Sequence, residues 1–398
     1  MNNGDEGGRR ARGLERSGAL GPRTPPYTPP MTSPEHEPTS PPIRRERRAW
    51  LSVGAGIVLM SLVVVCWGTL PYTLGSSGTV PRFDAGVSSS GRDAPMWFGG
   101  EYGFFFGSDV LGRSLLLRLL LGGAISLSIG LCAAVISVCI GTAYGMLAGY
   151  FGGRVDAVLM RIVDVLYGLP TTLLVLLLAV ATDAAVDNWI NRYAERSAWV
   201  QVEASSRMRA EGASSASVRT WLGARPDVRA EIESASAAAH PPRRVSRAQR
   251  TAIDLGTLLA AIAGMSWLTL ARVVRAETLS LRTRPFVEAA RTLGAGHVRI
   301  LVRHVLPNVV GVIAVYGALA VPQAILQESF LSFLGVGVRP PMPSWGTLAA
   351  EGLPELNPYK SHWWLLLFPC LALGVTLLSL NVLGEWLRTR LDPKRLTR

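Results

Sequence analysis

Residues 119–153 read LLLGGAISLSIGLCAAVISVCIGTAYGMLAGYFGG, 35 positions without one charged side chain. A helix rises 1.5 Å per residue, and a hydrocarbon core about 30 Å thick is crossed by roughly 20 residues. The stretch is too long for one perpendicular span and too short for two spans with a turn. It predicts a single membrane helix that runs past the bilayer. Charge-free runs at 50–70, 165–182, 255–271, 305–327 and 363–384 meet the same length requirement. The expected fold class is therefore an all-α integral membrane protein with six transmembrane helices. Glycines within the runs permit close helix contact. Pro170, Pro322 and Pro369 predict kinks, which membrane bundles tolerate because neighbouring groups re-satisfy the freed carbonyls.

Composition agrees. The chain has 398 residues, 49% hydrophobic and only 17% charged, with 40 Lys and Arg against 28 Asp and Glu. A disordered chain would be poor in apolar residues, and an ordinary soluble domain carries about a quarter charged residues. The net charge of +12 suits an anionic membrane face and lipid contact, and nucleic acid is not expected as a partner. Cys66, Cys132, Cys139 and Cys370 all lie in apolar stretches, without the spacing of a disulfide framework or a zinc site.

Charge then orients the spans, because short cytoplasmic loops carry excess Lys and Arg. Arg44, Arg45, Arg47 and Arg48 precede the first run, and Arg272, Arg275, Arg282, Arg284, Arg291, Arg299 and Arg303 fall between the fourth and fifth. Arg388, Arg390, Lys394, Arg395 and Arg398 come after the last. The loop before the second run balances its arginines with Asp84, Asp93, Glu101 and Asp109. Both termini are expected in the cytoplasm of a multi-pass protein, with an uncleaved first span. The expected organisation begins with a Pro- and Arg-rich disordered tail at 1–48, a first helix at 49–72 and an external loop at 73–118. Helices two and three occupy 119–182, and an external insertion 183–253. Helices four to six fill 254–387, with a cytoplasmic loop at 284–307, and 388–398 is a cytoplasmic tail. Ile190, Tyr193, Ser197 and Val200 recur at helical spacing, so part of the insertion is expected to be helical. The plain reading of the insertion is a tolerated surface loop, since added length costs little entropy.

The most informative motif is Glu288-Ala289-Ala290-Arg291-Thr292-Leu293-Gly294, continuing to Leu306-Pro307. It predicts a short helix with two alanines small enough to lie flat against another protein. Gly294 ends the helix, a basic helix comes next, and Pro307 marks entry to the fifth span. The alternative is an ordinary pair of membrane-surface helices. Two more stretches stand out: Phe106-Gly107-Ser108-Asp109-Val110-Leu111-Gly112-Arg113, with Arg118 beyond it, and Glu328-Ser329-Phe330-Leu331-Ser332-Phe333-Leu334-Gly335 with Pro343-Ser344-Trp345-Gly346 downstream. Asp109 with Arg113 serves equally well as a helix-start charge pair or as a gating or packing pair. Glu328 is the ionisable group most expected to be buried. Arg154, Asp156, Arg161 and Asp164 serve equally well as headgroup anchors or as packing and gating groups.

Taken together, these motifs resemble the permease subunits of ABC importers of the dipeptide, oligopeptide and nickel type, and within them the second, C-type subunit with an extra first helix. The resemblance covers roughly 45–182 and 254–398. It implies a five-helix type I importer core plus an N-terminal helix. It also implies an ATPase-coupling role for Glu288, Ala289, Ala290, Arg291, Gly294 and Pro307, and an external gate or packing role for Asp109, Arg113 and Glu328. The implied partners are a homologous second permease, two ATP-binding cassette subunits and an external solute-binding protein. ATP and Mg would sit on the ATPase subunits. Ser114 and Leu117 depart from the family pattern, and 183–253 lies outside it.

The chain itself carries no phosphate-cradling G-x-x-x-x-G-K-[ST]; its two lysines, Lys360 and Lys394, have no such glycine before them. No ATP site, catalytic residue or metal site is expected in it. Substrate-contacting residues are not legible, since scattered polar groups such as Ser137, Gln323 and Asn381 are more often interhelical glue than ligand sites. The competing reading is a secondary transporter or channel working without an ATPase. Ionisable residues at mid-membrane and internal repeats would favour it, whereas the runs here are charge-free. A membrane scaffold would leave the loop motifs unexplained.

Overall fold

The structure, a computed structural model, describes residues 42–77, 80–86, 91–99, 104–212 and 217–391. The chain divides into two units, Met1–Arg45 and Glu46–Arg398, and the helical bundle belongs to the second. The predicted tail falls largely outside the described residues, and the first helix, α1, spans Pro42–Gly68. A short α2 (Leu70–Leu74) continues it. After the loop come α3 (Leu115–Phe151), α4 (Gly153–Tyr167) and α5 (Thr171–Asn191). The 183–253 segment contains α6 (Tyr193–Ala210), α7 (Val218–Gly223) and α8 (Pro226–Ala239). The long α9 (Arg247–Leu281) leads to α10 (Pro285–Thr292) and α11 (His297–Ile300). A π turn at Leu301–Val305 then opens α12 (Leu306–Phe333), and α13 (Trp345–Gly352) and α14 (Trp364–Leu391) complete the chain.

Among the described residues, six helices are long and apolar enough to cross a membrane. The 119–153 run is indeed one helix of 37 residues, about 55 Å long. Pro170 differs from expectation. It does not kink a span but caps α5, with α4 a separate helix before it. The physical reason is local: Gly168 and Pro170 flank Leu169, and a residue before proline is pushed out of the helical region. Pro322 and Pro369 do lie inside helices.

Close glycine contacts fix how the spans run. A Cβ at Gly141 would lie 2.9 Å from the Trp267 carbonyl oxygen, one at Gly145 2.5 Å from that of Ala271, and one at Gly149 2.8 Å from that of Arg275. Rising numbers on both helices mean that α3 and α9 run parallel, backbone against backbone. Gly317 of α12 faces Val138, whereas Ile325 packs on Gly130, so α12 runs antiparallel to α3. The middle of this core is Ile129, Ala133, Val175, Ile262 and Ala324, all buried. The parallel pair has two distinct ends. Tyr150 and α10–α11 lie at one, and Arg118, Glu328 and the start of α9 at the other. The 183–253 insertion joins the second end, opposite α10. Its helices form their own small core from Ala204, Met208, Trp221 and Ile232. The expected helix begins at Tyr193, while Ile190 belongs to α5.

Candidate functional site

At the Tyr150 end, α10 begins with Pro285 in its first turn, where a missing N–H costs nothing. It ends in a Schellman turn. Gly294 sits at φ +78° and donates to Arg291 O, while Ala295 donates to Ala290 O, each at 3.0 Å. Glycine takes that angle without strain. The turn reverses the chain into α11, so both helices pack on one cluster: Tyr150, Val287, Ala290, Ile300, Leu301 and Val305. The Tyr150 hydroxyl lies 3.0 Å from His297 Nδ1, and the Arg291 guanidinium stacks over the Tyr150 ring.

This arrangement divides the predicted coupling residues. Ala290 is buried inward in the Tyr150 cluster, where its small size serves the packing of α10. Glu288, Ala289, Arg291 and Gly294 face solvent, as does Pro307 in the first turn of α12. Around them the surface is unexpectedly apolar. Leu293 is 87% exposed and Val298 74%, with Phe286 and Val302 also exposed. Arg291, Arg299 and Arg303 alternate with them along the chain. A mixed apolar and arginine surface of this kind has the composition of an interface core. The motif draws attention to the alanines, but the exposed leucine and valines carry the apolar area. Their signal is present in the sequence as apolar residues off the buried positions of two short helices.

At the other end, Asp109 is far more than a helix-start partner of Arg113. It is 3% exposed and Arg118 2%. Asp109 Oδ2 accepts from Arg113 Nε at 2.7 Å and from Arg118 Nη1 at 2.6 Å, while Oδ1 accepts the backbone N–H groups of Leu111 and Arg113. Arg118 also grips Glu351 of α13 with two bonds, and Arg113 reaches Asp84 at 2.9 Å. A second clasp joins Arg92 to Glu355 by two bonds, with His362 Nδ1 2.9 Å from the same carboxylate. Arg92, and then His362, hold the Glu355 carboxyl below the usual carboxylate range. Glu328 is fully buried beneath α13. Its carboxylate accepts from the Ser332 hydroxyl at 2.7 Å and from Ser329 at 3.3 Å, with Ser126 and Ser344 beside it. The structure thus brings Asp109 and Arg113 together, places Glu328 in a separate serine-lined site, and adds Arg118, Glu351 and Asp84.

The α4 charges pair across to α9. Asp156 makes a two-bond pair with Arg275, one of them 2.6 Å, and Asp164 bonds Arg272 at 2.8 Å. The Arg275 guanidinium holds the Asp156 carboxyl below its ordinary range. Both pairs tie α4 to α9, and Arg154 and Arg161 stay exposed. Among the described residues no group of three or more His, Cys, Asp or Glu is placed to hold a metal ion. Ser137 is buried with no hydrogen-bond partner for its hydroxyl, and Gln323 and Asn381 are exposed.

Residues 141–397 match the family described as binding-protein-dependent transport system inner membrane component. The chain belongs to that family. This permease is 35% identical to the dipeptide transport system permease protein DppC of Bacillus subtilis, over 73% of this chain and 68% of the relative. It is 36% identical to the oligopeptide transport system permease protein OppC of Escherichia coli, over 74% of each. The glutathione transport system permease protein GsiD of Pectobacterium atrosepticum is 30% identical, over 88% of this chain and 89% of its own. The permease is therefore a multi-pass, all-helical membrane subunit of an ABC importer of the inner membrane.

Proposed function

We propose that this permease forms half of a peptide pathway and that its α10–α11 loop transmits ATPase closure to the spans. The supporting observation is the exposed set Phe286, Leu293, Val298 and Val302 around Glu288, Ala289 and Arg291, at one end of the long α3–α9 pair. An exposed apolar patch of this kind marks an interaction surface. Each of two ATP-binding cassette subunits, carrying ATP and Mg, would cover one such loop, here and on a homologous second permease. Because Val287, Ala290 and Ile300 pack on Tyr150 of α3, a push on α10 would reach α3 directly. The relatives' names support peptide cargo, and the family description supports an external binding protein, which would deliver it to the 329–362 loop. Asp109, Arg113 and Glu328 would fix that outer loop to α3.

This reading requires both termini in the cytoplasm and 183–253 outside. Single cysteines at Ser206 and Ser280, labelled on intact cells with an impermeant maleimide, test it. Ser206 should label and Ser280 only after lysis. Labelling of Ser280 with Ser206 protected would invert the orientation and remove the ATPase from the α10 end.

A further inference from the structure

The outward faces of the first and third spans are apolar. Val53, Ile57 and Val64 stand on α1 and Leu173 and Leu177 on α5, all more than half exposed. Such faces suit lipid tails. Several hydroxyls within the spans donate back into their own helix, as Ser128 does to Ala124 O, Thr182 to Leu178 O and Ser266 to Ile262 O. The span α12 departs from this pattern. Tyr316, Ala320, Gln323 and Gln327 recur at helical spacing and so share one face. Another side of the helix packs on α3 through Gly317 and Ile325. Gln323 and Tyr316 are exposed and Gln327 is half-buried. Among the described residues none of these three side chains makes a hydrogen bond, and the Gln327 side-chain oxygen is buried without a partner. Gln323 is therefore not glue between the helices of this chain. Unbonded amides facing hydrocarbon are costly, and polar groups in spans turn toward protein or a water-filled cavity.

Chemistry selects the occupant. The face carries no charge, so it does not sort ligands by charged side chains. A glutamine amide offers donors and an acceptor side by side, the complement of the C=O and N–H that an extended peptide shows on one edge. Gln323 and Gln327 are four positions apart, about 6 Å along the helix axis. An extended chain presents the same edge at every second residue, about 6.6 Å apart. The two amides thus match alternate residues of an extended peptide, whatever its side chains. Gln327 adjoins Glu328, at the end of the molecule opposite α10, and Ala320 is too small to obstruct the way inward to Tyr316.

We infer that Gln323 and Gln327 form a two-rung ladder that hydrogen-bonds the backbone of an extended peptide in transit. The inference rests on the proposed peptide pathway and names its substrate contacts. Because α12 follows directly from α11 and the π turn, movement of the ATPase-facing loop would shift the rungs relative to the peptide.

The test uses the complete transporter in proteoliposomes, with its partner permease, ATPases and binding protein. The probes are radiolabelled tetra-alanine and two analogues with lysine or glutamate at the third position. Uptake is measured beside ATP hydrolysis, and subunit composition by gel filtration. The double variant Gln323→Leu, Gln327→Leu should lose roughly tenfold in uptake of all three peptides alike, with the complex assembled and ATP hydrolysis retained. Leu177→Ala, on the exposed face of α5, should leave uptake unaltered. Wild-type uptake by the double variant would overturn the ladder while leaving the peptide reading intact. Selective loss of one charged peptide would mean that side chains are read and overturn it too. Loss of the second permease from the complex would assign the face to a contact between permeases, again overturning the ladder. No uptake of any of the three peptides by the wild type would overturn the peptide reading and the ladder with it.

Discussion

Arg118→Met removes the central cation of the outer cluster while keeping an apolar stem. Arg118 bonds buried Asp109 at 2.6 Å and Glu351 at 2.5 and 3.0 Å. Breaking a buried pair by removing one partner costs about 3–5 kcal/mol, because the remaining charge stays desolvated. Asp109 keeps Arg113 at 2.7 Å and two backbone donors, so the lower end, about 3 kcal/mol, applies. Glu351 differs. Its side chain is 40% exposed, and water replaces much of what it loses, leaving about 0–1 kcal/mol. Double-mutant cycles separate the two branches. Arg118→Met with Asp109→Asn should couple by about 2–3 kcal/mol, and Arg118→Met with Glu351→Gln by about 1 kcal/mol or less. The assay is denaturant unfolding of the purified protein in mixed micelles. Equal couplings would refute the idea that burial, rather than distance, sets the strength of these pairs.

Gly294→Val should leave membrane insertion unchanged but reduce ATPase pull-down and transport together. A Cβ there meets nothing within 4 Å, so the local cost is the left-handed backbone, about 1–2 kcal/mol, and the larger effect is a misdirected α10. Gly145→Ala should destabilise the fold itself by about 1–3 kcal/mol, because its Cβ would lie 2.5 Å from a carbonyl oxygen of α9; thermal unfolding reads this directly. Glu355→Gln tests the second clasp through pH. The folded carboxyl titrates below its ordinary value of 4.5, so its stabilisation is present above that value and fades as pH falls through the lower folded one. The melting temperature of Glu355→Gln should lie below wild type at pH 6–7 and converge with it in acid. A constant difference down to the acid limit would mean that the carboxylate's charge is not what stabilises.

The six spans are legible in the sequence because membrane helices announce themselves locally, as uninterrupted apolar runs. So is the turn at Gly294, which depends on neighbours one helix turn away. Pro170 is misread because a continuous apolar run hides a helix break; the Gly168–Pro170 pair holds the signal. The outer cluster is only half visible. Arg118 and Glu351 are 233 positions apart, and nothing in the local sequence of either announces the other. Arg339 and Asp183, bonded at 2.8 Å, are similarly remote, 156 positions apart. The inward turn of Ala290 is hidden for a related reason: a small residue suits a buried contact and a partner's surface equally, and only the position of Tyr150 decides.

The central claim is that the α10–α11 surface seats an ATPase subunit. A photo-crosslinking amino acid placed at Ala289, exposed between Glu288 and Arg291, reads it out in the assembled transporter in intact cells. Irradiation should capture the ATPase subunit at this position, and the same probe at Ser206 in the insertion should not. Capture of the ATPase from Ser206, or of an extracytoplasmic protein from Ala289, would contradict the account.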